Sequence, residues 1–456
     1  MSFLSDVADH LLDKYGNHLG DCTVIFPNRR AGLFLKKQLA AKLSAPVFAP
    51  NTFSLEDYLF SFSPIKKSDA LTLIFLLYQA FKEHKDRQNF TSNFDAFFPW
   101  GEMLLRDFEE VDHYLIDPKQ LFTLIKDEKQ LAEDFYFLDK DQEILIQKFW
   151  QEFLPSATDT QKKFIQSWEI LYPVYQAFKK ELTAKQIGYT SHIYRSLLHD
   201  IKVFQEAAGQ PIIFAGFNAL TAVEENLIKH FVQNLGAEVL WDVNAYYIDD
   251  ERQEAGDFIR EYQKDTVFGP TFNSASQREI DWKQKSLITH GVSLEVGQTK
   301  LLSEQLSELL AQGVKEEEIV VILPQDYMLF PMLNALPSEV KKLNITMGYP
   351  LKDTPLYGLL EACLELQEQA TLSPKNGISF YHKQVLDILG HPYLYQEEDT
   401  LGSLLKDIKK KNQIRVFQEE ILKTDGDILG VIFQKKNSAP LHIFPTPSGY
   451  PVNIEV

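Results

Sequence analysis

Cysteine is scarce in this chain of 456 residues, which contains only Cys22 and Cys363. Two thiols cannot build a disulfide framework, nor a cysteine-rich zinc or iron–sulfur site. Apolar residues, in contrast, make up 45% of the sequence. We therefore expect a protein of a reducing compartment that folds around several hydrophobic cores.

Long hydrophobic runs are missing as well. The longest apolar stretch, Leu71 to Phe81, has eleven residues, whereas a helix that crosses a bilayer needs about 20. The first helical segment carries Asp6, Asp9 and Asp13 without a basic start, which is not typical of a signal peptide. The sequence predicts a cytoplasmic protein without a membrane partner.

Positive charge is in the minority, because 46 Lys and Arg residues stand against 64 Asp and Glu residues, for a net charge of −18. A surface covered with non-specific phosphate contacts needs many Lys and Arg side chains. Salt screens exposed charges beyond roughly 8 to 10 Å, so a short basic strip is compatible with an acidic protein. Any nucleic-acid site must therefore be local.

A phosphate-binding loop is also missing. Nucleotide hydrolysis by this kind of fold uses the spacing G-x-x-x-x-G-K-[ST], and Gly-Lys followed by Ser or Thr does not occur in the chain. No set of nucleophile, base and orienting group can be assembled, and the histidines lack metal-ligand spacing. We expect no catalytic residues, no metal site, no bound cofactor and no ATP hydrolysis.

Strand and helix patterns alternate near the N-terminus. An apolar run from Cys22 to Phe26 is typical of a strand that is covered on both faces, and Pro27 ends it. Apolar residues then recur at helical spacing, at Ala31, Phe34, Leu35, Leu39 and Leu43. An extended segment follows from Pro46 to Phe53. This order is the elementary unit of a parallel α/β sheet.

The same pattern returns later in the chain, with predicted strands at Ile212 to Ala215, Val239 to Val243 and Ile319 to Leu323. We therefore predict an α/β protein with two parallel-sheet cores. Residues 1–60 plus 206–261 form the first core, 61–205 an all-helical insertion, and 262–286 a polar connector. Residues 287–456 form the second core with a helical insertion of its own.

Two further features complete this division. An aromatic stripe lies at helical spacing in the insertion, at Phe164, Trp168, Leu171, Tyr172, Tyr175 and Phe178, and it indicates a packed helical core rather than a base-stacking platform. The C-terminal stretch carries four prolines between Pro440 and Pro451. We expect the second core to be incomplete in this chain.

Basic residues cluster directly after the first strand, where Arg29 and Arg30 start a predicted helix that continues through Lys36 and Lys37. The cluster is compatible with a solvated helix face. It is also compatible with a phosphate-contact strip, because ligand sites of α/β proteins form at the carboxyl ends of parallel strands. The residues alone leave both interpretations open.

The chain resembles the N-terminal half of Bacteroidetes-type proteins related to AddB, the B subunit of an ATP-dependent helicase–nuclease. Four segments in the same order carry the resemblance: TVIFPNRRAGLFLKKQL (23–39), FDAFFPWGEMLLRDFEEVDHY (94–114), IIFAGFNALTAVEE (212–225) and LNITMGYPL (343–351). The resemblance implies two degenerate RecA-like cores whose motor has decayed. The C-terminal PD-(D/E)XK nuclease of that family is not visible in these 456 residues.

The resemblance also implies a function: a noncatalytic DNA-binding and scaffolding module for double-strand-break repair and recombination. The partners implied are single-stranded or forked DNA and an AddA-like helicase subunit. The residues implied in DNA binding are Asn28, Arg29, Arg30, Lys36 and Lys37 in the first core, and Asn344, Thr346, Gly348 and Tyr349 in the second. The alternative is an interaction scaffold that docks a motor subunit without contacting DNA itself.

Overall fold

The computed structural model describes residues 2–84, 94–124, 159–274, 277–278, 285–373, 377–394, 400–422 and 427–434. The chain is mixed α/β and mostly helical. It divides into two compact units, residues 1–286 and 287–456.

The elements of the first unit follow in chain order. Its helices are α1 (Phe3–Tyr15), α2 (Arg29–Lys42), α3 (Leu55–Phe60), α4 (Ala70–Glu83), α5 (Phe94–His113), α6 (Pro118–Leu124), α7 (Asp159–Lys185), α8 (Thr190–His199), α9 (Ala222–Leu235), α10 (Ala245–Ile248) and α11 (Asp257–Lys264). Its strands are β1 (Thr23–Phe26), β2 (Asn51–Ser54), β3 (Lys66–Lys67), β4 (Ile187–Gly188), β5 (Ile212–Ala215), β6 (Glu238–Leu240), β7 (Val243–Asn244) and β8 (Gln277–Arg278).

The sheet of the first unit has four strands in the order β2-β1-β5-β6, all parallel. Thr23 is the partner of Asn51 on one side and of Ile212 on the other. Every residue of β1 and β5 is buried, as expected for continuous apolar runs at the centre of a parallel sheet. The predicted parallel α/β sheet is therefore confirmed for this unit.

Helices cover both faces of this sheet. Leu11 of α1 and Leu35 of α2 pack with Val24 and Ile213 on one face. Phe231 of α9 packs with β5 on the other face. The connection from β1 leads to β2, and the connection from β5 leads away from it to β6. The carboxyl ends of β1 and β5 therefore form the point where strand order reverses, which is where open α/β sheets bind ligands.

Glu238, the first residue of β6, fixes the C-terminal half of α1. Its carboxylate lies 3.1 Å from His10 Nε2, 2.7 Å from Lys14 Nζ and 2.5 Å from Tyr15 Oη. Burial disfavours the charged form, but the hydrogen bonds from these three side chains outweigh it and lower the pKa of Glu238 to about 2. The other end of α1 lies close to the carboxyl end of β5. The Phe3 ring is next to Gly216 (φ +75°), since a Cβ added to this glycine would lie 3.0 Å from the ring.

The segment predicted as an all-helical insertion contains α4 to α8 and one short parallel pair, β3 with β4. The pair differs from the prediction, because two-residue strands give no alternating pattern in a sequence. Leu171, Tyr175 and Phe178 are buried in the helical core, as the aromatic stripe predicted. The side chains of Phe164 and Trp168 lie outside the described part of the chain.

Asp112 of α5 is a fully buried carboxylate in this helical part. Tyr175 and Tyr189 each donate a hydrogen bond of 2.6 Å, Lys179 Nζ lies at 2.5 Å and Arg195 Nη1 at 3.1 Å. Burial disfavours its charge, but Lys179 and the hydrogen bonds keep the pKa of Asp112 below its usual range. The cluster joins α5 to α7 and α8.

The predicted connector, residues 262–286, begins inside the fold. Tyr262 and Phe268 are buried next to Trp241, whose ring also stacks on Phe272 at 4.9 Å. Trp241 Nε1 donates a hydrogen bond of 2.8 Å to Thr271 Oγ1. Polar residues dominate the composition of this stretch, so it was predicted as a connector although its aromatic residues are part of a hydrophobic core.

The second unit differs more from the prediction. Its helices are α12 (Glu295–Ala311), α13 (Leu329–Ala335), α14 (Pro355–Glu368), α15 (His382–Leu389), α16 (Thr400–Lys411), α17 (Gln418–Leu422) and α18 (Asp427–Ile432). Its strands are β9 (Thr371–Ser373), β10 (Gly377–Tyr381) and β11 (Arg415–Phe417), which form an antiparallel sheet in the order β11-β10-β9.

The predicted buried strand Ile319 to Leu323 is wrong. Val320 and Ile322 are 82% and 84% exposed, and no segment in the described ranges pairs with this run. β-Branched residues supply strand propensity, but a strand also needs a neighbour for its backbone groups. The described part of the second unit accordingly contains no parallel sheet. The proline-rich stretch from Pro440 to Pro451 lies outside the described residues.

We expect Asp112→Asn to lower the free energy of unfolding by about 3 kcal/mol, because it leaves Lys179 and Arg195 without their buried counter-charge. Urea unfolding of the full chain measures the change. Asp107→Asn, an exposed carboxylate on the same helix, is the matched control and should have little effect. A loss below about 1 kcal/mol in Asp112→Asn, as for a surface pair, would contradict the assignment of this cluster as an anchor.

The Glu238 cluster should make stability depend on pH. A carboxylate with a lowered pKa stabilises the fold above its unfolded value of about 4.3, and this contribution is lost as pH falls towards its folded pKa. At neutral pH we expect the free energy of unfolding of wild type to be about 2 kcal/mol higher than that of Glu238→Gln. The difference should shrink between about pH 4.5 and 2 in denaturant titrations. A difference that stays constant across this window would rule out the mechanism.

Candidate nucleic-acid interface

Helix α2 begins directly at the carboxyl end of β1. The Asn28 side chain caps it by accepting hydrogen bonds from the backbone N–H groups of Arg30 at 3.1 Å and Ala31 at 3.2 Å. Gly32 lets the helix approach β2 closely, because a Cβ there would lie 2.7 Å from Thr52 Cβ. These contacts fix Arg29 and Arg30 at the N-terminal end of α2, where the helix dipole is positive.

The charge of α2 is unusual for this acidic chain. The helix carries Arg29, Arg30, Lys36, Lys37 and Lys42 and contains no Asp or Glu. Arg30 and Lys36 form no ion pair with any residue that the structure describes. The predicted basic residues are therefore brought together on one helix, and two of them are available to a ligand.

The outer face of α2, defined here as Arg29, Arg30, Leu33, Phe34, Lys36 and Lys37, combines this charge with apolar side chains. Phe34 is 49% exposed and Leu33 is 68% exposed. Phe34 is one of the apolar residues whose helical spacing predicted α2, but only Gly32, Leu35 and Leu39 of this helix are fully buried. Helical spacing places Phe34 between Arg30 and Lys37, on one side of the helix.

Arg29 is held by a carboxylate. Arg29 Nε and Nη2 donate to the two Asp57 oxygens at 2.6 and 2.5 Å, and Ser54 Oγ donates to Asp57 Oδ2 at 2.6 Å. The hydrogen bonds from Arg29 and Ser54 lower the pKa of Asp57 to about 2. This pair therefore stays ionised throughout the physiological pH range.

The second predicted set lies in the second unit. Asn344, Thr346 and Gly348 are exposed in a segment without regular secondary structure, and the space around Gly348 is open. The Tyr349 ring packs edge-on against Phe330, with centroids 4.5 Å apart. The resemblance implied that all four residues bind DNA, and they lie in an accessible segment with one packed aromatic ring.

The outer face of α2 has the residue types that bind anions. Guanidinium and ammonium groups at a helix N-terminus suit phosphate oxygens, and an exposed aromatic ring suits an unpaired base. Within the described ranges, no group of three or more His, Cys, Asp or Glu residues could hold a metal ion. The positive charge and the exposed ring therefore suit this face to binding an anionic ligand.

Two residues of this interface escaped the sequence reasoning. Phe34 served only as evidence for a helix, although its position four residues after Arg30 and three before Lys37 would have placed it on the basic face. Asp57 carried no signal of its own, because its partner Arg29 lies in another strand–helix unit. Only the parallel register of β1 and β2 brings the two together.

The described helices include none that is long and apolar enough to span a membrane.

Comparison with protein families and curated proteins does not identify a relative of this chain. No protein-family model matches the chain, and no curated protein is significantly similar to it. The resemblance to AddB-like proteins therefore stays a prediction.

Proposed function

We propose that this chain is a noncatalytic DNA-binding and scaffolding module of an AddB-like helicase–nuclease that acts in double-strand-break repair and recombination. In this proposal the outer face of α2 holds single-stranded or forked DNA, an AddA-like subunit supplies the motor, and the complex works in the cytoplasm. The two units would descend from the RecA-like cores of a helicase that no longer hydrolyses ATP.

One observation carries the proposal: a helix face whose charged residues are all basic starts at the carboxyl end of β1, where the strand order of the parallel sheet reverses. The chain has a net charge of −18, yet α2 has five basic residues and no acidic ones. A solvated face would not need an exposed Phe34 between its cations. Phosphate contacts combined with base stacking are characteristic of single-strand binding.

Arg29→Ala combined with Arg30→Ala should weaken binding of a labelled oligodeoxythymidine about tenfold or more at low salt, because two phosphate contacts are lost. The slope of log affinity against log salt should fall by about 1.4, or 0.7 for each phosphate on a single strand. Fluorescence anisotropy across a salt series measures both quantities. Wild-type affinity in the double variant, or no binding by wild type at about 50 mM salt, would contradict the proposal and favour the interaction scaffold.

Phe34→Ala should weaken single-strand binding by about tenfold, the effect of losing one stacked base. The salt slope should not change, because no phosphate contact is removed, and Phe34→Tyr should restore affinity. Leu33→Ala is the matched control, since Leu33 is the more exposed neighbour and cannot stack. Equal losses in Phe34→Ala and Leu33→Ala would show that the ring does not act as a stacking surface.

A further inference from the structure

The hydrogen bonds of Arg29 leave one edge of its guanidinium open. A guanidinium has five N–H donors in a rigid plane, and Asp57 accepts from Nε and from Nη2. One Nη1 donor and one Nη2 donor remain side by side on the terminal edge of the guanidinium, and the second Nη1 donor points back towards Cδ. The side chain is 81% exposed, so this edge is accessible to solvent.

Asp57 is itself fixed by the sheet. Ser54 is the last residue of β2 and the N-cap of α3, and its side chain is buried. Ser54 Oγ donates to Asp57 Oδ2 at 2.6 Å and accepts from the Asp57 backbone N–H at 3.2 Å. A continuous chain of contacts therefore leads from the sheet through Ser54 and Asp57 to the guanidinium of Arg29.

We infer that Asp57 is a positioning residue of the DNA interface, which orients the free edge of Arg29 towards a single phosphodiester group. This inference rests on the proposed function. A planar pair of donors matches two phosphate oxygens, and a guanidinium held in advance loses less side-chain entropy when it binds. Asp57 thus acts through Arg29 and does not touch the DNA.

If Asp57 acted only through its charge, its loss would change the DNA affinity in the opposite direction from the loss of a positioning residue. Removing a negative charge beside a phosphate-binding site should strengthen DNA binding, because less repulsion remains. Removing a positioning group should weaken binding, because Arg29 becomes free to rotate. The sign of the change in affinity therefore separates an oriented arginine from a surface ion pair without function.

The experiment compares Asp57→Asn with Glu56→Gln in the full chain. Glu56 is the preceding residue, and its carboxylate accepts a hydrogen bond of 3.0 Å from Lys67 Nζ. Glu56→Gln therefore removes the same charge from the same helix as Asp57→Asn. We expect Asp57→Asn to weaken oligodeoxythymidine binding about fivefold, with a salt slope reduced by about 0.7. Glu56→Gln should bind as tightly as wild type or more tightly. Thermal melting checks that both variants are folded.

A double-mutant cycle completes the test. In an Arg29→Ala background, Asp57→Asn should no longer weaken binding, because the group it orients is gone. Tighter binding by Asp57→Asn, or the same loss with and without Arg29, would overturn the inference while leaving the basic interface intact. Failure of the proposed function would look different, because wild type and the arginine variants would then bind DNA equally or not at all.

Discussion

The parallel pairing of β1 with β5 is the interaction on which the first unit depends. Thr23 and Ile212 are partners in this pair, although the whole helical part of the unit lies between them in the chain. Closing so long a connection costs little more than closing a short one, because loop entropy grows only with the logarithm of length. Since both strands run in the same direction, α2 and α9 start at the same edge, and the basic residues of α2 stand beside the switch point.

Helix α8 ties the helical part to this sheet. Ile193, Tyr194 and Leu197 pack into the core next to β5, while Ser191 Oγ donates to the Glu109 carbonyl and Arg195 reaches Asp112. One helix therefore belongs to two cores. A buried charge cluster at such a junction costs desolvation, but its hydrogen bonds form only where α5, α7 and α8 lie together. The helical part is thus held to the sheet by specific polar contacts as well as by apolar packing.

The sequence predicted elements whose signal is local and missed contacts that depend on partners far away in the chain. Strands β1 and β5 were predicted because continuous apolar runs are typical of central parallel strands. The run from Ile319 to Leu323 has the same composition, yet it is exposed, because composition does not reveal whether a neighbouring strand exists. Arg29 became a candidate site residue through its position after β1 together with the family resemblance. Asp57 was not, because the register of β2 brings it to Arg29.

Ion pairs neutralise only part of the positive charge of α2. Lys42, at the C-terminal end, pairs with Asp9 of α1 at 2.7 Å, so the acidic first helix neutralises that end of α2. Arg29, at the N-terminal end, is paired with Asp57 but keeps one edge of its guanidinium open. Arg30, which forms no ion pair within the described residues, and the open edge of Arg29 both lie in the first turn of the helix, where the helix dipole adds to their charge. Because screening limits the reach of exposed charges to about 10 Å, this charge can act only on an anionic group that lies close to the start of α2.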